Sequence, residues 1–336
     1  LYKVDQALRC RAVRYYSGGY YMMKAKLTFL GTGTSQGIPI IGCQCPVCSS
    51  ADTRDKRFRA SALVEYGGLT ILIDAGPDFR SQMLAAGVRH LDAILLTHNH
   101  KDHTGGLDDV RALNYIDRSA VNIYCEPRVL DTLKVEYDYA FAEDKYPGAP
   151  VWQIHQISEK PFVIYPENPR KELVWVHDVG YRYMMPDGSL VPTGNPLDTA
   201  EVVDDPEFTG LCKGVKGDGV EIIPIRGIHG QMPVLGFRFG NIAYITDMSM
   251  LPDSELEKLR GLDHVTLNTV SYKPHHSHFS LEQAVELARR IGAKHTWLTH
   301  LSHNFPVHEE FSRELLESYS EGGTVIQPAH DMLTLL

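Results

Sequence analysis

The run HNHKDH at residues 98–103 constrains the fold of this chain more than any other feature of its sequence. It follows the apolar segment LDAILLT, which predicts a buried strand. His98 and His100 alternate and can point to one side of an extended segment, while Asp102 and His103 then turn toward a second position. Imidazole and carboxylate groups together suit zinc, manganese or iron. One loop rarely completes two metal sites, so we expect further ligands from distant parts of the chain.

Three candidates for those further ligands each stand where a predicted strand ends. His229 follows a strand in IRGIHG, Asp247 ends AYITD, and His300 ends TWLTH. Loops gather into a site at the carboxyl ends of strands. We therefore expect the fold to bring these three strand ends to the HNHKDH run.

Three of the six cysteines fall within six residues, as Cys43, Cys45 and Cys48 in GCQCPVC. A disulfide framework would spread its cysteines along the chain, and neighbours this close cannot pair easily. Clustered thiolates on a turn that carries Gly and Pro suit a tetrahedral zinc site, whose fourth ligand must come from elsewhere. Chance clustering of buried cysteines is the alternative.

Composition and charge exclude several classes of protein. The chain has 336 residues, of which 43% are hydrophobic and 22% charged, enough to bury a full core. Its 33 basic and 42 acidic residues give a net charge of −9, which argues against a broad nucleic-acid surface. No apolar run of 18 residues predicts a membrane span. The first residues lack the apolar stretch of a secretory signal, so we expect a cytoplasmic protein.

Two segments are predicted to lie outside the regular part of the fold. Residues 1–22 precede the first convincing strand, AKLTFLG, and are expected to be an N-terminal extension or cloning remnant; a short arm packed on the surface is the alternative. Within the domain of residues 23–336, the stretch from about 142 to 218 is rich in Pro and Gly and shows no helical period. It predicts an insertion whose loops are candidates for an active-site cover or a homodimer interface.

Predicted strands come in two blocks, each followed by helices. The first block has strands at 25–30, 61–66, 69–74, 91–97 and 121–125 and helices at 78–87, 107–116 and 127–141. The second has strands in VEIIPIRG, VLGFRFG, NIAYITD, DHVTLNTV and AKHTWLTH and helices at 253–260, 280–292 and 308–319. The amphipathic segment SLEQAVELARRIG predicts a helix with Ser280 as its N-cap. Together they predict an α/β chain folded as a four-layer αββα sandwich.

Five motifs in this order resemble the metallo-β-lactamase superfamily: Asp74 at a strand end, the run at 98–103, His229, Asp247 and His300. The resemblance implies the ligands of two divalent ions, zinc or manganese, with iron as a third candidate. It assigns His98, His100 and His229 to the first ion and Asp102, His103 and His300 to the second. Asp247 would bridge both ions, and Asp74 would hold the HNHKDH loop in place.

The N-terminal segments KLTFLGTGTSQGIP and CQCPVC are similar to the branch that contains phosphoribosyl 1,2-cyclic phosphate phosphodiesterase. That resemblance implies a structural zinc site formed by His303 of LTHLSH together with Cys43, Cys45 and Cys48. It also implies that His278 lies close to the substrate phosphate. The neighbouring His275 and His276 are expected to be surface residues without a role.

The resemblance implies a dinuclear phosphodiesterase that acts on a small phosphodiester, including a cyclic one. A hydroxide that bridges the two ions would attack phosphorus in line. Asp247 would position this nucleophile, and His278 would bind a phosphate oxygen or protonate the leaving alkoxide. The long stretch at 142–218 departs from the small bacterial members of this branch, which leaves the substrate open.

Two other functions share parts of this pattern. A tRNA 3′-end endonuclease of the ribonuclease Z type has the same five motifs, but it requires a basic surface that the net charge of −9 does not favour. A non-catalytic or cofactor-pathway protein resembling the pyrroloquinoline-quinone biosynthesis branch also carries the cysteine run. Degraded ligand motifs would favour that function, whereas here every ligand position is filled.

Overall fold

The structure is a computed structural model that describes residues 24–166, 172–176, 180–184, 190–192, 219–320 and 324–336. The predicted extension at residues 1–22 lies outside these residues. No helix within the described ranges is both long enough and apolar enough to cross a bilayer.

The predicted elements occur in the predicted order, although the strand predicted at 91–97 is shorter and the helix predicted at 127–141 is divided into two. The strands are β1 Lys26–Gly31, β2 Ser61–Tyr66, β3 Leu69–Ile73, β4 Ala93–Leu95, β5 Val121–Cys125, β6 Trp152–Gln156, β7 Phe162–Ile164, β8 Glu172–Val176, β9 Gly180–Met184, β10 Leu190–Pro192, β11 Val220–His229, β12 Met232–Phe239, β13 Ile242–Tyr244, β14 His264–Asn268, β15 His295–Thr299, β16 Val325–Pro328 and β17 Thr334–Leu335. The α-helices are α1 Pro46–Ser49, α2 Phe79–Ala86, α3 Lys101–Thr104, α4 Arg111–Asp117, α5 Pro127–Glu136, α6 Asp138–Phe141, α7 Leu281–Ile291 and α8 His308–Ser318. The segment predicted as a helix at 253–260 is a 3₁₀ helix, Asp253–Leu259.

Two seven-stranded sheets form the centre of the molecule. Their strand orders are β17-β1-β2-β3-β4-β5-β6 and β16-β15-β14-β13-β12-β11-β7. Strands β3 to β6 are parallel to one another, and so are β13 to β16. The carboxyl ends of parallel neighbours meet at one edge of a sheet, which is where a ligand site is expected in such folds.

Three apolar cores separate four layers. Because side chains alternate along a strand, Ile71 of β3 faces the second sheet and packs with Phe237, while Leu72 faces the helices and packs with Leu133 of α5. On the far side, the second sheet packs against α7 and α8, whose Leu315 is fully buried. The structure therefore confirms the predicted four-layer αββα sandwich.

The amphipathic helix α7 begins as its sequence predicts. The Ser280 hydroxyl accepts from the Gln283 backbone N–H at 3.4 Å, and the Gln283 side chain accepts from the Ser280 N–H at 2.9 Å. This reciprocal capping satisfies two backbone donors that the first helical turn leaves without partners. The start of helix α7 is therefore fixed at Ser280.

The stretch predicted as an insertion contributes strands to both large sheets. Strand β6 pairs in parallel with β5, and β7 pairs antiparallel with β11. Strands β8, β9 and β10 form a separate three-stranded sheet. We therefore propose that the insertion begins after β7; most of its remaining residues lie outside those that the structure describes.

Candidate metal centre

The predicted ligands lie at the carboxyl ends of strands from both sheets. Asp74 follows β3, Asp247 follows β13 and His300 follows β15. These three residues adopt positive φ angles of 61°, 54° and 56°, and they make up three of the five non-glycine residues with positive φ in the described part of the chain. This conformation costs an L-residue about 1–2 kcal/mol. Strain of this kind is concentrated at functional sites, where the surrounding structure holds it in place.

His98, His100 and His229 form what we call the first donor group. One nitrogen from each ring lies within 4.8 Å of the other two. The ring centroids of His98 and His100 are 4.6 Å apart, and that of His229 is 5.4 Å and 4.9 Å from them. His98 is fully buried, whereas His100 is exposed and marks the side from which solvent reaches the group.

Hydrogen bonds fix which nitrogen of each buried ring faces the centre of this group. The Thr97 hydroxyl donates to Asp74 Oδ2 at 2.8 Å, so its oxygen accepts from Nδ1 of His98 at 2.9 Å. His229 Nδ1 likewise donates to the backbone oxygen of Ser277 at 2.6 Å. These bonds leave the Nε2 lone pairs free, and Nε2 of His98 is buried without a partner among the described residues. Histidine ligands of metals are oriented in this way.

Asp102, His103, Asp247 and His300 form the second donor group. His103 Nε2 lies 3.3 Å from Asp102 Oδ2 and 3.2 Å from Asp247 Oδ2, and His300 Nε2 lies 3.0 Å from Asp247 Oδ1. Both nitrogens are buried, yet neither has hydrogen-bond geometry to a described partner. Nitrogen and oxygen ligands of one tetrahedral zinc ion would be about 3.3 Å apart, given metal–ligand distances of about 2.0–2.1 Å. The atoms therefore converge on a common point as ligands of a divalent ion do.

Asp247 connects the two donor groups. Its carboxylate belongs to the second group and also lies close to His229 and His278 in a third set of convergent atoms. Thr246 Oγ1 donates to Asp247 Oδ2 at 2.6 Å. The Asn268 side chain bonds both the N–H and the C=O of Met248, which fixes the backbone immediately after this carboxylate.

Charge at the site favours ligation of a cation. Burial raises the pKa of Asp247, but the adjacent His300 and His103 outweigh it and hold that pKa well below its ordinary value. Burial lowers the pKa of His103, but Asp247 and Asp74 outweigh it and raise that pKa well above its ordinary value. Burial also lowers the pKa of His98 well below its ordinary value, which keeps this ring neutral. Ionised carboxylates attract a divalent ion, which would take the place of the proton that these carboxylates otherwise hold on His103.

His278 lies against both donor groups. Its Nδ1 is 3.6 Å from Asp247 Oδ1, and its ring is stacked on that of His300 with centroids 4.6 Å apart. The His229 ring is also 4.6 Å away. Burial, and then the proximity of His300, lower the pKa of His278. The structure thus places His278 against the inner wall of the candidate metal centre, next to Asp247, His229 and His300.

Cys43, Cys45, Cys48 and His303 form a separate set, the cysteine group. Nδ1 of His303 lies 3.3 Å, 3.6 Å and 3.6 Å from the three sulfur atoms. Tetrahedral zinc with Zn–S of about 2.3 Å and Zn–N of about 2.0–2.1 Å requires S···N distances of about 3.5 Å. A hydrogen bond from the Cys48 N–H lowers the pKa of Cys45 to about 6. Burial raises the pKa of Cys48 to about 11, so it is the distances among the four side chains that fit a zinc ion.

Asp74 is expected to control metal affinity without touching a metal. Its Oδ2 accepts from Nδ1 of His103 at 2.7 Å, and Oδ1 accepts from the Thr97 N–H at 2.9 Å. The substitution Asp74→Asn removes an acceptor, so we expect affinity at the second donor group to fall about 10–100-fold. Competition with a chromophoric chelator measures this. Asp92→Asn is the control, because Asp92 is also buried and accepts the Thr70 N–H at 2.7 Å outside the centre. Equal affinities in the two variants would contradict the role of Asp74.

Gly76 allows the HNHKDH loop to lie against the loop that follows β3. A Cβ at this position would be 2.0 Å from the backbone oxygen of Asp102. We expect Gly76→Ala to displace Asp102 and lower both metal content and the free energy of unfolding, the latter by about 1–3 kcal/mol. In the control Gly148→Ala, the new Cβ would meet only the half-exposed ring of Tyr146, which can rotate away. Thermal unfolding and elemental analysis test this prediction, which fails if the two variants behave alike.

Four residues that support the centre have no counterpart in the sequence predictions. They are Thr97, Thr246, Asn268 and Ser277. Thr97 and Thr246 each stand immediately before a predicted ligand, which is a signal that the sequence offered. The contact of Ser277 with His229 depends on a backbone oxygen and has no sequence signal.

Comparison with known proteins identifies the family. A model of the beta-lactamase superfamily domain matches residues 70–168 and 167–301, more than half of the chain. The chain therefore belongs to the beta-lactamase superfamily. It is similar to the crystal structure of a diphosphatase from the PhnP family, with 36% identity and a TM-score of 0.70 over 93% of this chain and 98% of that chain. These findings confirm the predicted resemblance to the PhnP-like branch.

Two curated relatives have other activities in their names. An octanoyltransferase of Porphyromonas gingivalis is 35% identical over 283 residues, which are 84% of this chain and 46% of that protein. The chain thus spans less than half the length of that relative. A ribonuclease Z of Streptomyces avermitilis is 28% identical over 287 residues, covering 81% of this chain and 89% of that protein.

Proposed function

We propose that this chain is a metal-dependent hydrolase that cleaves small phosphodiesters. The observation that carries the proposal is the position of Asp247. Its carboxylate belongs to the second donor group and also lies within 4.8 Å of His229 of the first, with His278 at 3.6 Å. A carboxylate shared by two ligand sets is the arrangement expected of a dinuclear site, in which two ions lie about 3.5–4 Å apart.

Different residues of the site would have different roles in the reaction. Two divalent ions, when bound, supply positive charge for the phosphoryl oxygens and lower the pKa of a water molecule so that it is a nucleophile at neutral pH. The first donor group would hold one ion and the second donor group the other. Asp247 orients the attacking water. Because burial and His300 lower the pKa of His278, its neutral ring hydrogen-bonds a phosphoryl oxygen through an N–H.

We propose that the cysteine group holds a structural zinc ion. Its four ligands are the complete set for a closed structural site, which leaves no position open for substrate. His303 stands three residues after His300, so this ion would anchor the segment that supplies a ligand to the second donor group.

Phosphate anhydrides are a second candidate substrate class. The observation that favours them is the similarity to a diphosphatase from the PhnP family, which is 36% identical over 98% of its chain. Attack of water at phosphorus requires the same clamp on phosphoryl oxygens whether the leaving group is an alkoxide or a phosphate. Both classes therefore belong in the test of the proposal.

The activities named for the other relatives have fewer observations of this chain in their favour. Transfer RNA cleavage is supported by the Streptomyces avermitilis ribonuclease Z, but the net charge of −9 provides little attraction for a large polyanion. Acyl transfer is not proposed, since more than half of the Porphyromonas gingivalis octanoyltransferase lies outside the match. A purely binding role is disfavoured because every predicted ligand position carries a ligating side chain.

A substrate panel tests the proposed function. The chain loaded with zinc or manganese is assayed on bis(p-nitrophenyl) phosphate, a nucleoside cyclic phosphate, a diphosphate diester, a precursor tRNA and a β-lactam. We expect metal-dependent hydrolysis of at least one small phosphate ester or anhydride. Turnover confined to the tRNA or the β-lactam, or none with any substrate, would overturn the proposal.

A further inference from the structure

The loop of residues 271–280, here called the histidine loop, has an unusual charge for this chain. Its sequence SYKPHHSHFS contains one lysine and three histidines, and no acidic residue occurs anywhere from 264 to 281. The whole chain carries a net charge of −9. In the fold, carboxylates reach the loop at Tyr272, whose hydroxyl donates to Glu314, and at His278, which faces Asp247. The exposed part of the loop, at His275 and His276, carries hydrogen-bond donors that favour an anionic ligand.

The histidine loop is closed at its base by one hydrogen bond and is fixed to the candidate metal centre by two others. At its base the Leu281 N–H donates to the Ser271 oxygen at 2.9 Å, and the Phe279 N–H donates to the Met248 oxygen, also at 2.9 Å. In its middle the Ser277 oxygen accepts from His229 Nδ1 at 2.6 Å. The loop therefore holds its side chains at a defined position beside the first donor group.

His275 presents a hydrogen-bond donor that is not used within the described residues. Its Nδ1 accepts from the Ser277 N–H at 3.3 Å, so the neutral ring carries its proton on Nε2. No described residue bonds to that Nε2, and the side chain is exposed. The His275 ring lies 5.1 Å from His278 and 4.4 Å from His276. The rings of His276, His275 and His278 thus form a row from the solvent-exposed surface to the buried wall of the centre.

We propose that His275, assisted by His276, binds the second phosphate of a substrate in which two phosphates share a bridging oxygen. The inference rests on the proposed function, which places the first phosphorus at the two donor groups beside His278. The next phosphate of such a substrate lies one group further out. His275 lies one ring further out than His278, on the exposed side, and offers a donor to that group.

The reaction then balances as a hydrolysis of a diphosphate diester. The oxygen of water forms a bond to the first phosphorus, and the bond from that phosphorus to the bridging oxygen breaks. The electron pair leaves with the second phosphate, whose developing charge the Nε2–H of His275 stabilises by a hydrogen bond. The products are two phosphate monoesters, and two protons pass to water at neutral pH.

A comparison of two adenosine substrates tests this assignment. The p-nitrophenyl ester of AMP has one phosphate, and diadenosine diphosphate has two. We expect His275→Ala to lower the ratio of kcat/KM for the second substrate to that for the first by about tenfold or more, the effect of losing a hydrogen bond to a charged group. His275→Gln keeps an N–H donor and should recover part of the ratio. His155→Ala is the control. It removes an imidazole of β6 that is hydrogen-bonded to Asn122, and it should leave the ratio unchanged.

Each outcome of this comparison supports or overturns either the role of His275 or the proposed function. If the wild-type chain cleaves only the p-nitrophenyl ester, the proposed function stands and the role of His275 is overturned. If it cleaves neither substrate nor any other phosphate ester or anhydride of the panel, the proposed function itself fails. A ratio that His275→Ala leaves unchanged also overturns the role of His275. Should His275→Ala fold poorly, His276→Ala replaces it in a second assay, the inhibition of bis(p-nitrophenyl) phosphate hydrolysis. Relative to the wild-type chain, this variant must be inhibited less strongly by inorganic diphosphate, and the loss must be larger than that for inorganic phosphate.

Discussion

Asp247→Ala is expected to abolish hydrolysis and to remove at least about one metal ion from each chain. The side chain is 2% exposed, and its two oxygens lie 3.0 Å from His300 Nε2 and 3.2 Å from His103 Nε2. Its loss leaves both donor groups without their shared carboxylate. We expect kcat/KM to fall by more than about 10⁴-fold, beyond what the loss of a single acid or base typically costs. Steady-state kinetics and elemental analysis of the same sample measure the two effects.

Two further variants make this prediction specific. Asp247→Asn keeps the shape of the side chain and removes its charge, so it should also lose metal. Asp253→Ala removes an exposed carboxylate that pairs with Arg290 outside the centre, and it should retain both metal and activity. An Asp247→Ala protein with full metal content and normal turnover would refute the assignment of this carboxylate.

Cys48→Ser is expected to cause the largest loss of stability among the substitutions considered. Cys48 is buried, and its sulfur lies 3.6 Å from His303 Nδ1 and 3.4 Å from the Ile40 nitrogen that donates to it. Loss of a structural metal belongs to the class of changes that cost more than about 4 kcal/mol. At about 2 °C per kcal/mol for a large domain, the Tm should fall by about 8 °C or more. Differential scanning calorimetry with elemental analysis measures both.

Cys125→Ala is the matched control for this effect. Cys125 is a buried free cysteine at the end of β5, and burial raises the pKa of its thiol to about 12. It belongs to none of the ligating groups found in the described part of the chain. We expect the control to cost about 1 kcal/mol and to retain all metal. If Cys48→Ser loses neither zinc nor more stability than Cys125→Ala, the cysteine group is not a zinc site.

Much of the site could be predicted because its chemistry is concentrated in short segments. The HNHKDH run supplies four of the convergent donor side chains from one loop, and His229, Asp247 and His300 each follow a recognisable strand. The αββα sandwich follows from two blocks of strands and helices, since each sheet must bury one face against the other. His303 differs, because only the resemblance to a family indicated it as the fourth ligand of the cysteine group.

Other features depend on contacts that a linear pattern does not contain. The positive φ of Asp74 and His300 is imposed by the surrounding structure on residues that rarely adopt it. The role of Asn268 depends on the approach of β14 to the turn after β13. The sequence predicts His275 to be a surface residue, and it is exposed. Its contact with His278 depends on the folded conformation of the histidine loop.

The number of metal ions per chain, measured together with hydrolysis on one sample, tests the central claim most directly. Elemental analysis gives the metal content, and bis(p-nitrophenyl) phosphate with added manganese or zinc gives the turnover. The two donor groups and the cysteine group predict about three ions per chain and metal-dependent hydrolysis. One zinc ion per chain and no turnover with any metal would contradict a dinuclear hydrolase.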